Sequence, residues 1–123
     1  MAKIQPKPHG TELEEQTLVV QWCGFYGVPV YHVPNEGKRS PQMGVALKKA
    51  GVRSGVPDLC IPVAVGAFHG LYIEMKVGKN KPTDNQLYWL SLLRRQGYMT
   101  AVCYGGDEAI AVIKNYLKGQ TKA

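Results

Sequence analysis

Residues 55–77, GVPDLCIPVAVGAFHGLYIEMKV, constrain this chain more than any other stretch. Two apolar runs of strand character flank a short glycine-bounded turn, GAFHG, which is the pattern of a β-hairpin. The returning run alternates strictly, with Leu71, Ile73, Met75 and Val77 on one side and Tyr72, Glu74 and Lys76 on the other. Pro57 and Pro62 cannot donate to a ladder, so the outgoing run is irregular or partly an edge. A hairpin of this size is not stable alone and must find partners elsewhere in the chain.

Those partners are signalled by helix caps. Thr11 followed by Glu14 has the form of a capping box and opens a helix running to about Phe25, before Gly27 and Pro29. Val28 to Pro34 is a short strand or extended segment, and NEGKRS is a turn. Ser40 and Pro41 open a second helix over Gln42 to Ala50, with Gly51 just past its end. Thr83 and Gln86 form another capping-box pair for a helix to about Gln96, YMTAVCY is a further strand, and Asp107 is the expected cap of a final helix with Ile110, Ile113 and Leu117 on one face. The order predicts an α/β fold with a mixed central sheet flanked by helices. Residues 11–118 read as a single domain behind a flexible basic tail over residues 1–10.

Composition narrows the class. The 123 residues are 45% hydrophobic, which argues against disorder, and no long apolar run suggests a membrane span or a secretion signal. A cytoplasmic location is expected. Cys23, Cys60 and Cys103 are far apart and set among apolar neighbours, the pattern of buried thiols. The net charge of +6 favours a polyanionic partner.

The chemistry lies where the hairpin brings its polar residues together. A turn symmetric about Gly66 or Ala67 sets Asp58 across from roughly Met75 to Val77, and so beside Glu74 and Lys76. Two carboxylates repel each other unless a cation lies between them. Mg²⁺ suits the place, because it takes oxygen ligands and needs few of them from protein when phosphate oxygens and water complete its shell. The lysine can then orient or help deprotonate an attacking water and stabilise charge on a phosphoryl group. On the first helix, Leu18, Val19 and Trp22 fall three, four and seven residues after Glu15, which puts Glu15 on the inward-facing side.

Pro57-Asp58, fifteen residues, then Glu74-Met75-Lys76 resembles the PD-(D/E)xK nuclease signature. The flanking strings EEQ, HVPNEGKRS, GVRSGVPDL, YIEMKVGKNKPTDNQ and QGYMTAVCYGGDEAI resemble, in order, the VRR-Nuc family of small phage and bacterial nucleases, from about Glu12 to Leu117. The resemblance implies a restriction-endonuclease-like core and a Mg²⁺- or Mn²⁺-dependent deoxyribonuclease. It implies Asp58, Glu74 and the main-chain carbonyl of Met75 as metal ligands, Lys76 as the catalytic lysine, Glu15 as the first-helix acid that completes or supports the metal site, and Gln86 as a glutamine facing the site from the next helix. Glu14 neighbours Glu15 and has its own place in the capping box; helical phase and the family pattern favour Glu15. Gln86 as helix cap and as site residue are compatible roles.

Lys38, Arg39, Lys48, Lys49, Arg53, Lys79 and Lys81 flank this centre and are expected to grip backbone phosphates. No base-reading motif is present, which fits recognition by shape and phosphates. The resemblance implies homodimers that cut branched DNA, Holliday (four-way) junctions especially. Flap cleavage, unselective nicking, and a DNA-binding module without activity are the other readings.

Overall fold

The computed structural model describes residues 9–34 and 40–120. Lys38, Arg39 and residues 1–8 of the expected tail lie outside the described residues. The elements run α1 (Glu12–Tyr26), β1 (Tyr31–His32), α2 (Pro41–Lys49), β2 (Leu59–Ile61), β3 (Leu71–Lys76), α3 (Asp84–Arg95), β4 (Met99–Tyr104) and α4 (Gly106–Lys118). This is the α/β order that the caps and alternation predict.

The caps explain why the helices begin where they do. The side chains of Thr11, Ser40 and Thr83 accept from the backbone N–H of Glu14, Met43 and Gln86. At Thr83 the box is complete, because the Gln86 side chain also accepts from the Thr83 N–H, at 2.8 Å. The second helix starts at Pro41, one residue before the expected Gln42. The fourth departs further from expectation, for Asp107 lies inside the first turn and Gly105, with no side-chain hydrogen bond, is the cap residue. The Glu15 carboxylate supplies the missing acceptor from α1, as described below.

The four strands lie side by side in the order β1-β2-β3-β4, antiparallel except for the parallel β3–β4 pair. The outgoing arm of the hairpin is shorter than its apolar run, because on this arm Leu59, Cys60 and Ile61, between Pro57 and Pro62, are the residues that pair with β3. Its register also differs from a turn symmetric all the way down. At the tip Val65 bridges Phe68 around Gly66, whose φ is 58°. Below the tip, three residues separate Ile61 from Val65 while two separate Phe68 from Leu71. The Val63 N–H bonds back to the Ile61 carbonyl and absorbs the extra residue as a bulge. The pairing therefore runs Leu59 to Ile73 and Cys60 to Tyr72, and its continuation brings Asp58 opposite Glu74 rather than Met75 to Val77.

Each face of the sheet has its own cover. Leu59, Ile61, Leu71, Ile73, Met75 and Cys103 pack against Val19 and Cys23 of α1 and Ala109, Ile113 and Tyr116 of α4. Burial of side chains such as these contributes roughly 1.5–3 kcal/mol each. Of the three residues expected inward, Val19 is fully buried and Trp22 packs partly buried against the core, whereas Leu18 is half exposed and Cys23 is buried in addition. The opposite face carries Tyr72, Glu74, Lys76 and Thr100, and α3 covers its β3–β4 side through buried Gln86, Leu90 and Leu93 and an Arg94–Thr100 hydrogen bond. All three cysteines are buried and free. No helix among the described residues is long and apolar enough to cross a membrane.

Candidate active site

Lys76, Glu74 and Asp58 meet at the C-terminal end of β3, on the α3 side of the sheet. All three are almost fully buried, with Glu74 1% exposed, Lys76 7% and Asp58 9%. The Met75 N–H donates to Asp58 Oδ2 at 2.8 Å, so the carboxylate is tied to the peptide that links Glu74 to its neighbour. Lys76 Nζ lies 3.8 Å from Glu74 Oε2. Gln86 Nε2 donates to that same oxygen at 3.3 Å. With its Oε1 taken by the Thr83 N–H, the Gln86 amide has no freedom to flip, and the cap that starts α3 orients the glutamine onto Glu74.

Backbone contacts hold the other side. The Asp58 carbonyl accepts from the Val33 N–H and pairs with His32 Nδ1, both at 2.8 Å. A carbonyl oxygen only accepts, so Nδ1 carries the hydrogen. Gly55 makes a close backbone approach, since a Cβ there would stand 2.6 Å from the Asn85 backbone, and its φ of 92° also favours glycine. The loop ahead of Asp58 is thereby pressed onto the first turn of α3, next to Gln86.

Glu15 does something the sequence does not announce. Its Oε1 accepts from the Gly106 N–H at 2.9 Å, ninety-one residues away, and its Oε2 from the Gly10 N–H at 3.2 Å. The preceding Gly105 N–H bonds to the Lys76 carbonyl at 3.0 Å, so Glu15 reaches the end of β3 through one residue of backbone. Glu14 instead bonds within the Thr11 cap. Glu15 does not join Asp58 and Glu74 in one cluster: no group of three His, Cys, Asp or Glu side chains suited to a metal occurs among the described residues.

The donor set at Asp58 and Glu74 nonetheless fits a hard divalent cation. Two buried carboxylates stand opposite each other where β2 and β3 pair. Main-chain oxygen such as that of Met75, with water and phosphate oxygen, is the chemistry that would complete such a shell. Of the basic residues, Lys48, Lys49, Lys79 and Lys81 are exposed, while the Arg53 guanidinium donates to the Lys48 and Val52 carbonyls at the end of α2. His9, which carries no sequence signal of a role, accepts from the Gly78 N–H at 3.2 Å and so tethers the loop that bears Lys79 and Lys81.

The VRR-NUC domain family matches residues 11–107 of this chain. A solved structure described as a VRR_NUC domain protein is similar over 93% of both chains, with 32% identity and a TM-score of 0.79. No curated protein matches. A domain match over more than half of the chain, the shared fold, and the facing Asp58 and Glu74-x-Lys76 of the β2–β3 pair lead to one conclusion: the chain belongs to the VRR-NUC domain family, nuclease domains of the PD-(D/E)xK superfamily.

Proposed function

We propose that this protein is a Mg²⁺- or Mn²⁺-dependent DNA endonuclease that cuts branched DNA, four-way junctions foremost, as a homodimer in the cytoplasm. The buried adjacency of Asp58, Glu74 and Lys76 carries the reading, because a lysine and two carboxylates excluded from water are costly to fold unless they serve a charged ligand.

Asp58, Glu74 and the Met75 carbonyl would hold the cation, with Glu15 in support. Bound there, the cation supplies Lewis-acid polarisation of a phosphodiester and a more acidic water. The Met75 N–H and the Gln86 amide hold the two carboxylates in fixed orientation, so little reorganisation is needed when substrate arrives. Lys76 brings a positive charge to the face where the phosphoryl oxygens gain negative charge, and it orients the attacking water as the bond from phosphorus to the leaving oxygen breaks. Lys48, Lys49, Lys79 and Lys81 bind flanking phosphates, an interaction without base specificity. One domain has one such centre, and resolving a junction needs two paired incisions, which a two-fold dimer supplies.

The test is cleavage of matched labelled duplex, single-stranded, 5′-flap and four-way-junction DNAs with Mg²⁺, Mn²⁺ or EDTA, beside Lys76→Ala. Paired junction incisions that vanish with EDTA and in the variant are expected. Equal cutting of all substrates would remove the junction assignment, and DNA binding with no cutting under either cation would remove the enzyme.

A further inference from the structure

Tyr31 of β1 faces Cys60 across the β1–β2 pair, and the Val33 N–H bond to the Asp58 carbonyl carries that register to the next row. Tyr31, Cys60 and Asp58 therefore share one face of the sheet. Tyr31 and Asp58 are diagonal neighbours, a relationship that sets Cα atoms about 7–8 Å apart. The helix α3 packs over the β3–β4 side of this face, and Tyr31, on the outermost strand, stays 50% exposed. Cys60 and Tyr72 lie beside it in the same row of the sheet. The Tyr72 ring is in turn held edge-on to Tyr98, with centroids 5.2 Å apart. The result is an exposed aromatic ring on the edge strand, one row of the sheet from Asp58 and Glu74.

We propose that Tyr31 is a stacking site for one unpaired base of the strand being cut. The inference rests on the nuclease reading, not on its junction preference, and adds DNA with single-stranded character next to the cleaved bond to the substrates the site accepts. Bases within a duplex already stack on each other and offer no face to a side chain, whereas an unpaired base does. Continuity with the Asp58–Glu74 centre selects this occupant, since Tyr31 is the diagonal neighbour of Asp58 on the face that carries Glu74 and Lys76.

The experiment uses the Lys76→Ala protein with Mg²⁺ and 5′-flap DNAs carrying a single 2-aminopurine at successive positions around the cut mapped with the active protein. Fluorescence is expected to fall at one or two adjacent positions, to recover with added Tyr31→Ala, and to remain low with Tyr31→Phe, which keeps the ring. In the active protein, Tyr31→Ala should lower flap cutting relative to blunt duplex by about tenfold. If the unsubstituted protein cuts but no position is quenched, or Tyr31→Ala quenches equally, the stacking site falls and the nuclease reading stands. If sedimentation shows instead that Tyr31→Ala dissociates a dimer with quenching unchanged, the exposed ring is a protein contact and the proposal is overturned. A protein that cuts nothing under Mg²⁺ or Mn²⁺ takes both readings down.

Discussion

Asp58 Oδ2 accepts a 2.8 Å hydrogen bond from the Met75 N–H, which locks the one acidic residue of the outgoing hairpin arm to the strand that carries Glu74 and Lys76. Shape and charge are separable at this bond. Asp58→Asn keeps an acceptor for Met75 and should stay folded, with cleavage down at least about a hundredfold. Asp58→Ala should also destabilise by roughly 1–3 kcal/mol, because a buried N–H loses its partner. Cleavage rates and urea unfolding of the two variants check this; equal stability would show that the hydrogen bond contributes nothing.

Cation binding has a readout independent of cleavage. Divalent cation at a hundred times its dissociation constant should stabilise the fold by about 2.7 kcal/mol, measured as a rise in thermal midpoint with Mn²⁺ that EDTA reverses. Asp58→Asn and Glu74→Gln should each abolish most of that rise.

Glu15 is a remote helix cap whatever else it does. Replacing it with alanine leaves the Gly106 N–H without an acceptor and removes a negative charge from the positive end of α4, so stability should drop by about 1–2 kcal/mol in urea. Glu15→Gln should lose about half as much. If stability is unchanged but cleavage is lost, the carboxylate acts at the site and not as a cap.

Gln86→Leu removes both the donor to Glu74 and the acceptor for Thr83. Stability is expected to fall by about 1 kcal/mol, and cleavage by more than that loss accounts for, with kcat falling more than KM rises. Gln86→Glu places a second acidic group against Glu74, and its thermal midpoint should rise more steeply with Mn²⁺ than that of the unsubstituted protein.

Burial, with a small addition from Glu108, pushes the Cys103 thiol up to about 12, and burial raises Cys23 as well. A thiol whose pKa is higher in the folded state contributes stability that is complete below its unfolded value near 9 and is lost as pH rises towards 12. Unfolding free energy should therefore decline above about pH 9. At pH 8 all three thiols should resist a disulfide reagent until denaturant is added; rapid labelling of the native protein would contradict the burial.

Much of this was legible in the chain because it depends on neighbours in sequence. Thr11, Ser40 and Thr83 cap helices through N–H groups three residues ahead, and period-two alternation marked β3 with Glu74 and Lys76 on one side. The spacing of Pro57-Asp58 from Glu74-Met75-Lys76 was likewise visible, since a hairpin must fold its two arms together. Local hydrogen bonds and side-chain period are properties of a short window, and a short window is what a sequence displays.

Tertiary structure decided the rest. A one-residue bulge at Val63 moved Asp58 opposite Glu74, a choice between Pro62 and the sheet that no periodicity expresses. The first N–H of α4 found its acceptor on Glu15 rather than on Asp107, because α1 and α4 pack side by side on one face of the sheet. The parallel neighbour of β3 is β4, reached across α3, and that crossover is what brings Gln86 down onto Glu74. The sequence by itself determined which residues carry charge, caps and strand period. Only the packed fold decided their partners, since contacts between residues far apart in the chain depend on all the intervening elements docking at once.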